Sequence, residues 1–397
     1  MENLKAMSLI FKDRDKLLPN FPIERYWNSL PHRERQLALL RSFYWDILDR
    51  RGESFLRVCQ AIGPAGTGKT STLRLFGDSF AKEAHSRRID IDHIYINLKM
   101  EGGRKVVLYR NLLGKVEPAL VSASLSAEEM LKSLVIYLQE RKRKLLLTID
   151  EIDYYVKHFK DEGAVYDLTR LNELIPGRPC GVVGVTFVAR EDKFHELLEK
   201  AELSSLGRNY IEFQPYTSSQ VYDIIDRRAR EALRPGVCSD EVLEFIANVT
   251  SSPPANGDLR YALDLLLYAG NLAESQGSSV ILPEHVRRVH STTYPAITDE
   301  DLISLPDEEK LVLMSIARTL RQRRSPYASL REIRSMVGVV REELGLNIRE
   351  DIEDYVQDLA DRNIIEIRSL KQIGISGLAL DDLDRFLNSL IERILRT

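Results

Sequence analysis

The chain contains few cysteines and no long apolar run, and each scarcity excludes a class of protein. Its cysteines are Cys59, Cys180 and Cys238, and an odd number of widely separated thiols predicts neither a disulfide framework nor a metal site. No segment reaches the length of apolar sequence that spans a bilayer, and residues 1–9 lack the pattern of a secretory signal. We therefore expect a cytoplasmic chain with no membrane partner.

A strong excess of charge of one sign is also missing, because the formal net charge is −4. This excludes a globally basic surface for nucleic acid, so any basic face must be local. The composition, with 44% hydrophobic and 29% charged residues, is otherwise typical of a soluble globular protein. A length of 397 residues exceeds what one hydrophobic core usually holds, so two or three domains are expected.

Apolar strands alternate with amphipathic helices in the first half of the chain. This alternation predicts an α/β domain with a parallel sheet covered by helices on both faces. The strands are predicted at 55–62, 93–98, 144–150, 181–188 and 210–213.

A glycine-rich loop follows the first predicted strand and fits the pattern G-x-x-x-x-G-K-[ST]. Such a loop turns its backbone N–H groups toward the phosphates of a nucleotide, and the helix that follows, predicted at 69–83, adds its positive dipole end. Lys69 is expected to reach the β- and γ-phosphates, and the Thr70 hydroxyl to bind Mg²⁺. The alternative is a chance glycine-rich turn. The predicted nucleotide contacts here are Gly63, Pro64, Ala65, Gly66, Thr67, Gly68, Lys69, Thr70 and Ser71.

A second motif is the apolar run 145–149, which ends in Asp150 and Glu151. Ligands of open α/β sheets lie at the carboxyl ends of such buried parallel strands. Asp150 is therefore predicted to share the Mg²⁺ with Thr70, and Glu151 to polarise the water that attacks the γ-phosphate. The alternative is an ordinary strand that runs into a solvated acidic turn.

Beyond residue 216 the pattern becomes helical. Residues 217–220 have the spacing of a capping box, and helices are predicted at 219–231, 239–248, 257–276 and 283–290. Residues 291–306 read as a linker. Helices at 308–321, 330–337 and 348–362, followed by strands at 364–369 and 375–380, predict a winged-helix module. The predicted domains are 1–215, 216–297 and 298–397.

Arg260 stands at the start of a predicted helix, where the helix dipole disfavours a cation. An arginine in that position can reach across a crevice between domains to the γ-phosphate and sense the nucleotide state. The alternative is a surface arginine at a helix start. We predict a catalytic and nucleotide-binding role for Arg260, together with Lys69 and Glu151.

The chain resembles the AAA+ initiator ATPases, and among them the archaeal origin-recognition and cell-division-control family. The resemblance is carried by Leu30-Pro31-His32-Arg33-Glu34, by Gly257-Asp258-Leu259-Arg260 and by Phe213-Gln214-Pro215-Tyr216. It implies an AAA+ nucleotide-binding domain, a helical lid and a winged helix, with ATP or ADP and Mg²⁺ as cofactors. It adds His32, Arg33 and Tyr216 to the predicted nucleotide contacts.

The same resemblance implies double-stranded origin DNA, the replicative helicase and other initiator paralogues as partners, and a nucleoid-associated location. Two positions differ from the family pattern. The polar residue that usually positions the attacking water is missing, and Thr186 is the nearest candidate for that role. The usual arginine finger is also absent, and Arg208 follows shortly after its place. We therefore predict slow ATP hydrolysis that acts as a switch; the alternatives are an origin-binding repressor with little ATPase activity and an AAA+ DNA motor.

DNA contacts are predicted at three places, two of them in the winged-helix module. Residues 318–349 carry eight arginines against three glutamates, which suits contacts to phosphate; the alternative for residues 321–324 is a helix C-terminus that favours cations. The hairpin forms the wing, and an insert near residues 98–112 adds further charge. The predicted DNA-binding residues are Arg104, Lys105, Arg323, Arg324, Arg334, Arg349, Arg368, Lys371 and Gln372.

Overall fold

The computed structural model describes residues 8–22, 26–49, 55–175, 180–295, 297–344 and 352–395. The chain divides into two compact units. One extends from Pro22 to Pro215, and the other combines residues 8–21 with the chain from Tyr216 onward. One border therefore coincides with the predicted boundary at residue 216, whereas residues 8–21 group with the C-terminal unit. The division into three domains stays a prediction.

The α/β unit is built on a five-stranded parallel sheet with the strand order β2-β3-β4-β1-β5. The predicted parallel sheet is confirmed. Every residue of β4 is buried, as are the last six residues of β3, which is why these strands read as continuous apolar runs. The strands are β1 Arg57–Ile62, β2 Ile91–Asn97, β3 Lys144–Asp150, β4 Val182–Ala189 and β5 Tyr210–Glu212.

Helices cover both faces of this sheet and form two hydrophobic cores. Toward the end of β4 the side chains alternate between them: Val185, Phe187 and Ala189 face one core, and Val188 faces the other. The helices are α1 Glu34–Tyr44, α2 Lys69–Ser86, α3 Lys105–Val116, α4 Ala127–Arg141, α5 Ile152–His158, α6 Ala164–Thr169 and α7 Lys200–Leu206. Because β4 lies between β1 and β3, the segments that follow these three strands meet at one edge of the sheet.

The second unit begins with four helices, and the predicted capping box opens the first of them. The Thr217 side chain accepts the backbone N–H of Gln220, and the Gln220 side chain accepts that of Thr217. The helices are α8 Ser218–Ala232, α9 Asp240–Ser251, α10 Leu259–Ser275 and α11 Pro283–Thr293.

Residues 8–21 are part of the core of this helical region. Ile10, Phe11 and Leu17 are buried within it, and a Cβ placed on Gly270 would lie 2.6 Å from the Phe11 ring. The buried Arg228 guanidinium also donates to backbone carbonyls of this segment. The N-terminal segment is therefore held by packing and hydrogen bonds to helices more than 200 residues away in sequence.

Over the described residues of the C-terminal part of this unit, two helices precede the first strand of a small antiparallel sheet, two lie between that strand and the hairpin, and one follows the hairpin. The described elements are α12 Asp299–Ile303, α13 Asp307–Arg323, β6 Tyr327–Ala328, α14 Leu330–Leu344, α15 Glu353–Asp361, β7 Glu366–Ser369, β8 Gln372–Gly374 and α16 Leu380–Leu395. The strand order is β6-β8-β7. Helices followed by an antiparallel hairpin confirm the predicted winged-helix architecture.

Two predictions in this region are wrong. The second hairpin strand is Gln372–Gly374 rather than 375–380, and Leu380 begins a helix that was not predicted. Leu380, Leu383, Leu387 and Ile391 recur at helical spacing and are all buried, so the apolar signal belongs to a helix. The predicted linker is also shorter than expected, since α11 extends to Thr293 and α12 begins at Asp299. Over the described residues, no helix is both long and apolar enough to span a membrane.

Arg287 joins the helical region to the winged helix from within the protein. It is 1% exposed, and its guanidinium donates to the backbone carbonyls of Ile375, Ser325 and Pro326 at 2.7, 3.2 and 3.0 Å. Tyr327 of β6 also packs in the helical core. These contacts make the two regions parts of one packed unit.

Candidate nucleotide site and nucleic-acid interface

The glycine-rich loop lies between β1 and α2, as predicted, and its glycines have conformations that other residues rarely adopt. Gly66 and Gly68 have φ values of 70° and 77°, in the left-handed region that favours glycine. A Cβ on Gly63 would lie 2.2 Å from the Phe213 carbonyl oxygen. These restrictions curl the loop in front of α2, where its N–H groups and the helix dipole favour an anion.

Lys69 and Arg33 are both engaged by this loop. The Lys69 ammonium donates to the carbonyls of Gly63 and Pro64 at 2.5 and 2.7 Å. Arg33 is 3% exposed and donates from Nε to the Thr67 carbonyl at 2.9 Å. Lys69 therefore has to exchange these carbonyls for phosphate oxygens on binding, whereas Arg33 supports the loop from within the protein. Ser71 is half-buried on α2, and His32 is half-buried just before Arg33.

The structure brings together the two residues predicted to hold Mg²⁺. The Thr70 hydroxyl donates to Asp150 Oδ2 at 2.8 Å, although 80 residues separate them in sequence. Asp150 is 5% exposed, and its Oδ1 accepts the backbone N–H of Glu151 at 2.8 Å. A hydroxyl and a carboxylate side by side are the hard oxygen donors that Mg²⁺ binds in proteins. The donor set therefore fits the ion.

Tyr95 on β2 is a member of this site that was missed in the sequence. Its hydroxyl donates to Asp150 Oδ2 at 2.6 Å, and the Arg74 guanidinium lies 4.1 Å from its ring centroid. Burial and the charge of Asp150 raise the pKa of Tyr95, so its hydroxyl stays protonated and keeps donating at neutral pH. To identify Tyr95 in the sequence, one would have needed the β2–β3 register, which pairs Asn97 with Asp150 and so brings Tyr95 near this carboxylate.

Glu151 follows β3 with φ 60° and is paired with a second residue that sequence reasoning missed. Nη2 of Arg190 lies 3.4 Å from each carboxylate oxygen of Glu151. The backbone N–H of Arg190 donates to Asp153 Oδ2 at 3.1 Å. Arg190 directly follows β4 and therefore occupies the strand end between the glycine-rich loop and Glu151. The signal that could have identified Arg190 in the sequence is its position directly after a buried strand.

Thr186, the sequence-based candidate for positioning the attacking water, does not reach this edge of the sheet. It is 2% exposed within β4, and its hydroxyl shares a hydrogen bond of 2.8 Å with the hydroxyl of Tyr44. We correct that expectation, because a buried residue three positions before the strand end has its side chain engaged by α1. Arg208 is exposed between α7 and β5.

Arg260 and Tyr216 belong to the second unit. Arg260 is exposed in the first turn of α10, and its backbone N–H donates to the side chain of the N-cap residue Asp258 at 2.9 Å. Tyr216 is 5% exposed in the helical core. Their contacts with nucleotide stay predictions.

The predicted arginine cluster of the winged helix is largely neutralised by acidic partners. Arg323 pairs with Glu332 and Arg334 with Glu353. Arg324, exposed after α13, makes no ion pair with another described residue. Arg349 lies outside the described residues. The excess of arginines seen in the sequence therefore does not form a free basic surface within the part of the module that the structure describes.

The wing and the start of α3 present charge more openly. Leu370, at the tip between β7 and β8, is 70% exposed, and its carbonyl accepts the backbone N–H of Leu330 at 2.9 Å. Lys371 and Gln372 beside it are exposed, while Arg368 pairs with Glu366 at 3.3 Å.

The two predicted residues at the start of α3 differ in their environment. Arg104 is exposed. The Lys105 ammonium pairs with Glu128 at 2.6 Å and with Asp167 at 3.7 Å. Of this pair, Arg104 is therefore the better placed for a phosphate contact.

Comparison with known proteins agrees with this fold. Residues 222–291 match the Cdc6 AAA+ ATPase-type lid domain, and residues 56–198 match an AAA domain. The chain is 31% identical over 316 residues to ORC1-type DNA replication protein 2 of Saccharolobus solfataricus, which covers 79% of this chain and 75% of that protein. The chain belongs to the family of ORC1-type DNA replication proteins.

Other members and solved structures extend this finding. Identity to the ORC1-type DNA replication protein of Pyrococcus horikoshii is 32%, over 79% of this chain and 73% of that protein. Cdc6p from Pyrobaculum aerophilum has a TM-score of 0.81 at 26% identity, with 98% of this chain and 100% of that chain covered. The Aeropyrum pernix ORC1 protein, solved in complex with DNA, has a TM-score of 0.61 at 27% identity, with 98% and 99% covered.

Membership of the ORC1-type family confirms the resemblance seen in the sequence and the AAA+ architecture. It establishes a replication-initiator family and an ATPase fold with a nucleotide-binding loop. Within that fold, the glycine-rich loop, Thr70 and Asp150 form one site.

Proposed function

We propose that this ORC1-type protein binds ATP and double-stranded origin DNA and uses its nucleotide state as a switch in replication initiation. The observation that carries the proposal is the 2.8 Å contact between Thr70 and Asp150, beside a loop curled by left-handed glycines. Loop amides, an ammonium and two hard oxygen ligands together suit the phosphates of ATP or ADP with Mg²⁺.

The reaction follows from what each side chain can do. Lys69 exchanges the loop carbonyls for β- and γ-phosphate oxygens, a charge-assisted contact stronger than the one it gives up. Thr70 and Asp150 would hold Mg²⁺, which would neutralise phosphate charge. Tyr95 keeps the Asp150 carboxylate oriented. Glu151 orients a water toward the γ-phosphate and accepts its proton, while the bond from the γ-phosphorus to the bridging oxygen breaks and ADP leaves with that oxygen.

Residues around the loop and in the second unit complete the proposed nucleotide contacts. His32 and Arg33 contribute at the adenine side, with Arg33 acting through the Thr67 carbonyl that it already contacts. A γ-phosphate-sensing role for Arg260 and a nucleotide-binding role for Tyr216 are kept as parts of the proposal. A ligand of this kind shifts the protein between states by as much as it favours one of them.

DNA is proposed to lie against the wing. Lys371 supplies a phosphate contact, Gln372 a polar one and Leu370 an apolar one, on a tip whose backbone is held by α14. Arg324 is an exposed cation of the same unit that adds to this contact, and exposed Arg104 is proposed as a separate phosphate contact on the α/β unit. Support comes from the relationship to the Aeropyrum pernix ORC1 protein, whose structure was solved in complex with DNA.

We also propose recruitment of the replicative helicase and association with other initiator paralogues, and membership of an initiator family is the support for both. Slow turnover is proposed because the edge of the sheet carries Arg190 against Glu151. The same observation favours a second candidate, an origin-binding regulator that retains nucleotide with little hydrolysis.

Duplex binding tests the DNA part of the proposal. A labelled origin duplex and a scrambled duplex are titrated with wild type and with Arg368→Ala/Lys371→Ala, in ATP and in ADP, across a salt series. The matched control is Arg230→Ala, which removes a 77% exposed arginine on α8. We expect the wing variant to lower affinity for the origin about tenfold and to reduce the salt slope by about one, for the phosphate contact of Lys371, with no change in the control. Equal, weak binding of wild type to both duplexes would sink the origin assignment.

Nucleotide titration tests the other part. Lys69→Ala is expected to lose binding of a fluorescent ATP analogue, because the ammonium is the loop's own cation. Lys193→Ala, which removes a 78% exposed lysine of the same unit, serves as the control. Unchanged binding in Lys69→Ala would refute the assignment of the loop. Hydrolysis at background rate with intact origin binding would favour the regulator.

A further inference from the structure

The pair formed by Arg190 and Glu151 lies where the proposed hydrolysis takes place. A single guanidinium nitrogen, Nη2, faces both carboxylate oxygens of Glu151 at 3.4 Å. Glu151 is 21% exposed and Arg190 49% exposed, so the pair sits at the open edge of the sheet rather than in the core. The carboxylate that has to receive a proton from water is therefore already occupied by a cation.

Arg190 is held in this position by its backbone and by the strand that it ends. Its N–H donates to Asp153 at 3.1 Å, and Asp153 also accepts the backbone N–H of Tyr154 at 3.0 Å. One carboxylate on α5 thus ties the end of β4 to the segment that carries Glu151. The backbone contact and the end of β4 together bring the arginine to the glutamate.

We infer that Arg190 is a positioning residue that restrains Glu151 and keeps ATP hydrolysis slow. A general base must present a free oxygen to the attacking water within hydrogen-bond reach. Here the ion pair has to open first, so its free energy adds to the barrier of the chemical step. The inference rests on the proposed function and assigns part of the slow turnover to one side chain.

Charge at the γ-phosphate supplies a physical way to open the pair. A guanidinium recognises phosphate at least as readily as carboxylate, so the triphosphate competes with Glu151 for Arg190. Nucleoside diphosphate has no phosphoryl group at that place. The restraint is thereby complete in the ADP state and weakened in the ATP state.

Steady-state and single-turnover hydrolysis test the restraint. Arg190→Ala and Arg190→Gln are expected to raise kcat about two- to fivefold, the range for breaking a partly exposed ion pair, and to raise KM for ATP modestly, because the guanidinium also contacts the γ-phosphate. Arg190→Lys keeps a cation and should return most of the wild-type rate. Arg170→Ala breaks an arginine–glutamate pair of 3.3 Å elsewhere in the same unit and should leave kcat unchanged.

A measurement without nucleotide reports the pair itself. Melting temperatures of Arg190→Ala, Glu151→Gln and the double variant form a double-mutant cycle. We expect the two single changes to be non-additive, and the double variant to hydrolyse ATP no faster than Glu151→Gln.

Each remaining outcome is decisive. A fall in kcat for Arg190→Ala at constant KM would overturn the restraint and make Arg190 a stabiliser of the transition state. An unchanged kcat, or full additivity of the melting shifts, would overturn it as well. If wild type binds ATP and none of these variants gains rate, the restraint fails while nucleotide binding stands; if wild type binds no ATP, the proposed function fails first.

Discussion

Replacement of Arg287 should show how strongly the helical region and the winged helix are joined. The guanidinium is buried and serves three backbone carbonyls, at 2.7 to 3.2 Å. Its burial lowers the pKa of Arg287 to about 10, so it is fully charged at neutral pH. Arg287→Ala removes these donors at once and leaves the carbonyls of residues 325, 326 and 375 without this partner.

The magnitude follows from these bonds. Each buried acceptor left without a donor costs about 1–3 kcal/mol, and water entry through the vacated space recovers part of this. We expect a net loss of about 3–5 kcal/mol, the range seen when one partner of a buried charged contact is removed. For a unit of this size, that lowers its melting temperature by roughly 10 °C.

Differential scanning calorimetry of the full chain measures this loss as a shift in the transition of the second unit. Arg287→Met keeps the apolar stem against Phe245, whose ring centroid lies 5.3 Å from the guanidinium carbon, and should lose about as much stability because it also lacks the donors. Arg287→Lys retains a cation and should lose less. Arg230→Ala is the exposed control. A melting shift within about 1 °C for Arg287→Ala would refute the reasoning, since at least one buried acceptor must lose its bond.

Three further predictions concern other parts of the molecule. Gly63→Ala should abolish nucleotide binding, because its Cβ would lie 2.2 Å from the Phe213 carbonyl oxygen. Gly338→Ala, with open space around it on α14, should raise stability by about 0.5–1 kcal/mol. Nucleotide titration checks the first variant and thermal melting the second. Tyr95→Phe should weaken ATP binding about tenfold in Mg²⁺, because the hydrogen bond to the charged Asp150 carboxylate is lost. In EDTA the loss should be much smaller. Equal losses of affinity in calorimetric titrations under both conditions would contradict the role given to the Tyr95 hydroxyl. Burial lowers the pKa of His290 from 6.5 to about 4, so the unfolded chain binds more protons between these values. The second unit should therefore lose stability as pH falls from about 6.5 to 4, by roughly 2–3 kcal/mol. A His290→Gln variant whose melting temperature kept the wild-type pH dependence would count against this assignment.

Much of the fold was predictable because its signals are local. The apolar runs of β3 and β4 predicted buried parallel strands, and residues 217–220 carried their own capping box. The exception is α16. The short apolar stretch at 375–380 was predicted to be a strand, although apolar residues recur at helical spacing from Leu380 to Ile391. Elements are read safely from sequence only when their full period is taken into account.

The parts of the candidate site that could be predicted are those where the chemistry requires one type of residue at a fixed place in a motif. The glycines of the loop, Lys69, Thr70 and Asp150 are required by phosphate and metal geometry, and the structure brings Thr70 and Asp150 together. The arginine cluster was misleading, because a count of charges along the chain does not show that Arg323 and Arg334 face Glu332 and Glu353. Net charge becomes surface potential only after the fold decides which charges are paired.

The alternation of strands and helices, the phosphate-binding loop and the carboxylates at and directly after the end of β3 could be predicted from sequence, since each depends on neighbours within a few residues. The folded structure was needed to show that Tyr95 orients Asp150, that Arg190 faces Glu151, and that residues 8–21 pack against helices of the second unit. These contacts join segments that are between 39 and more than 200 residues apart. They are set by strand register and by the packing of helices on the core, which no short window of sequence contains.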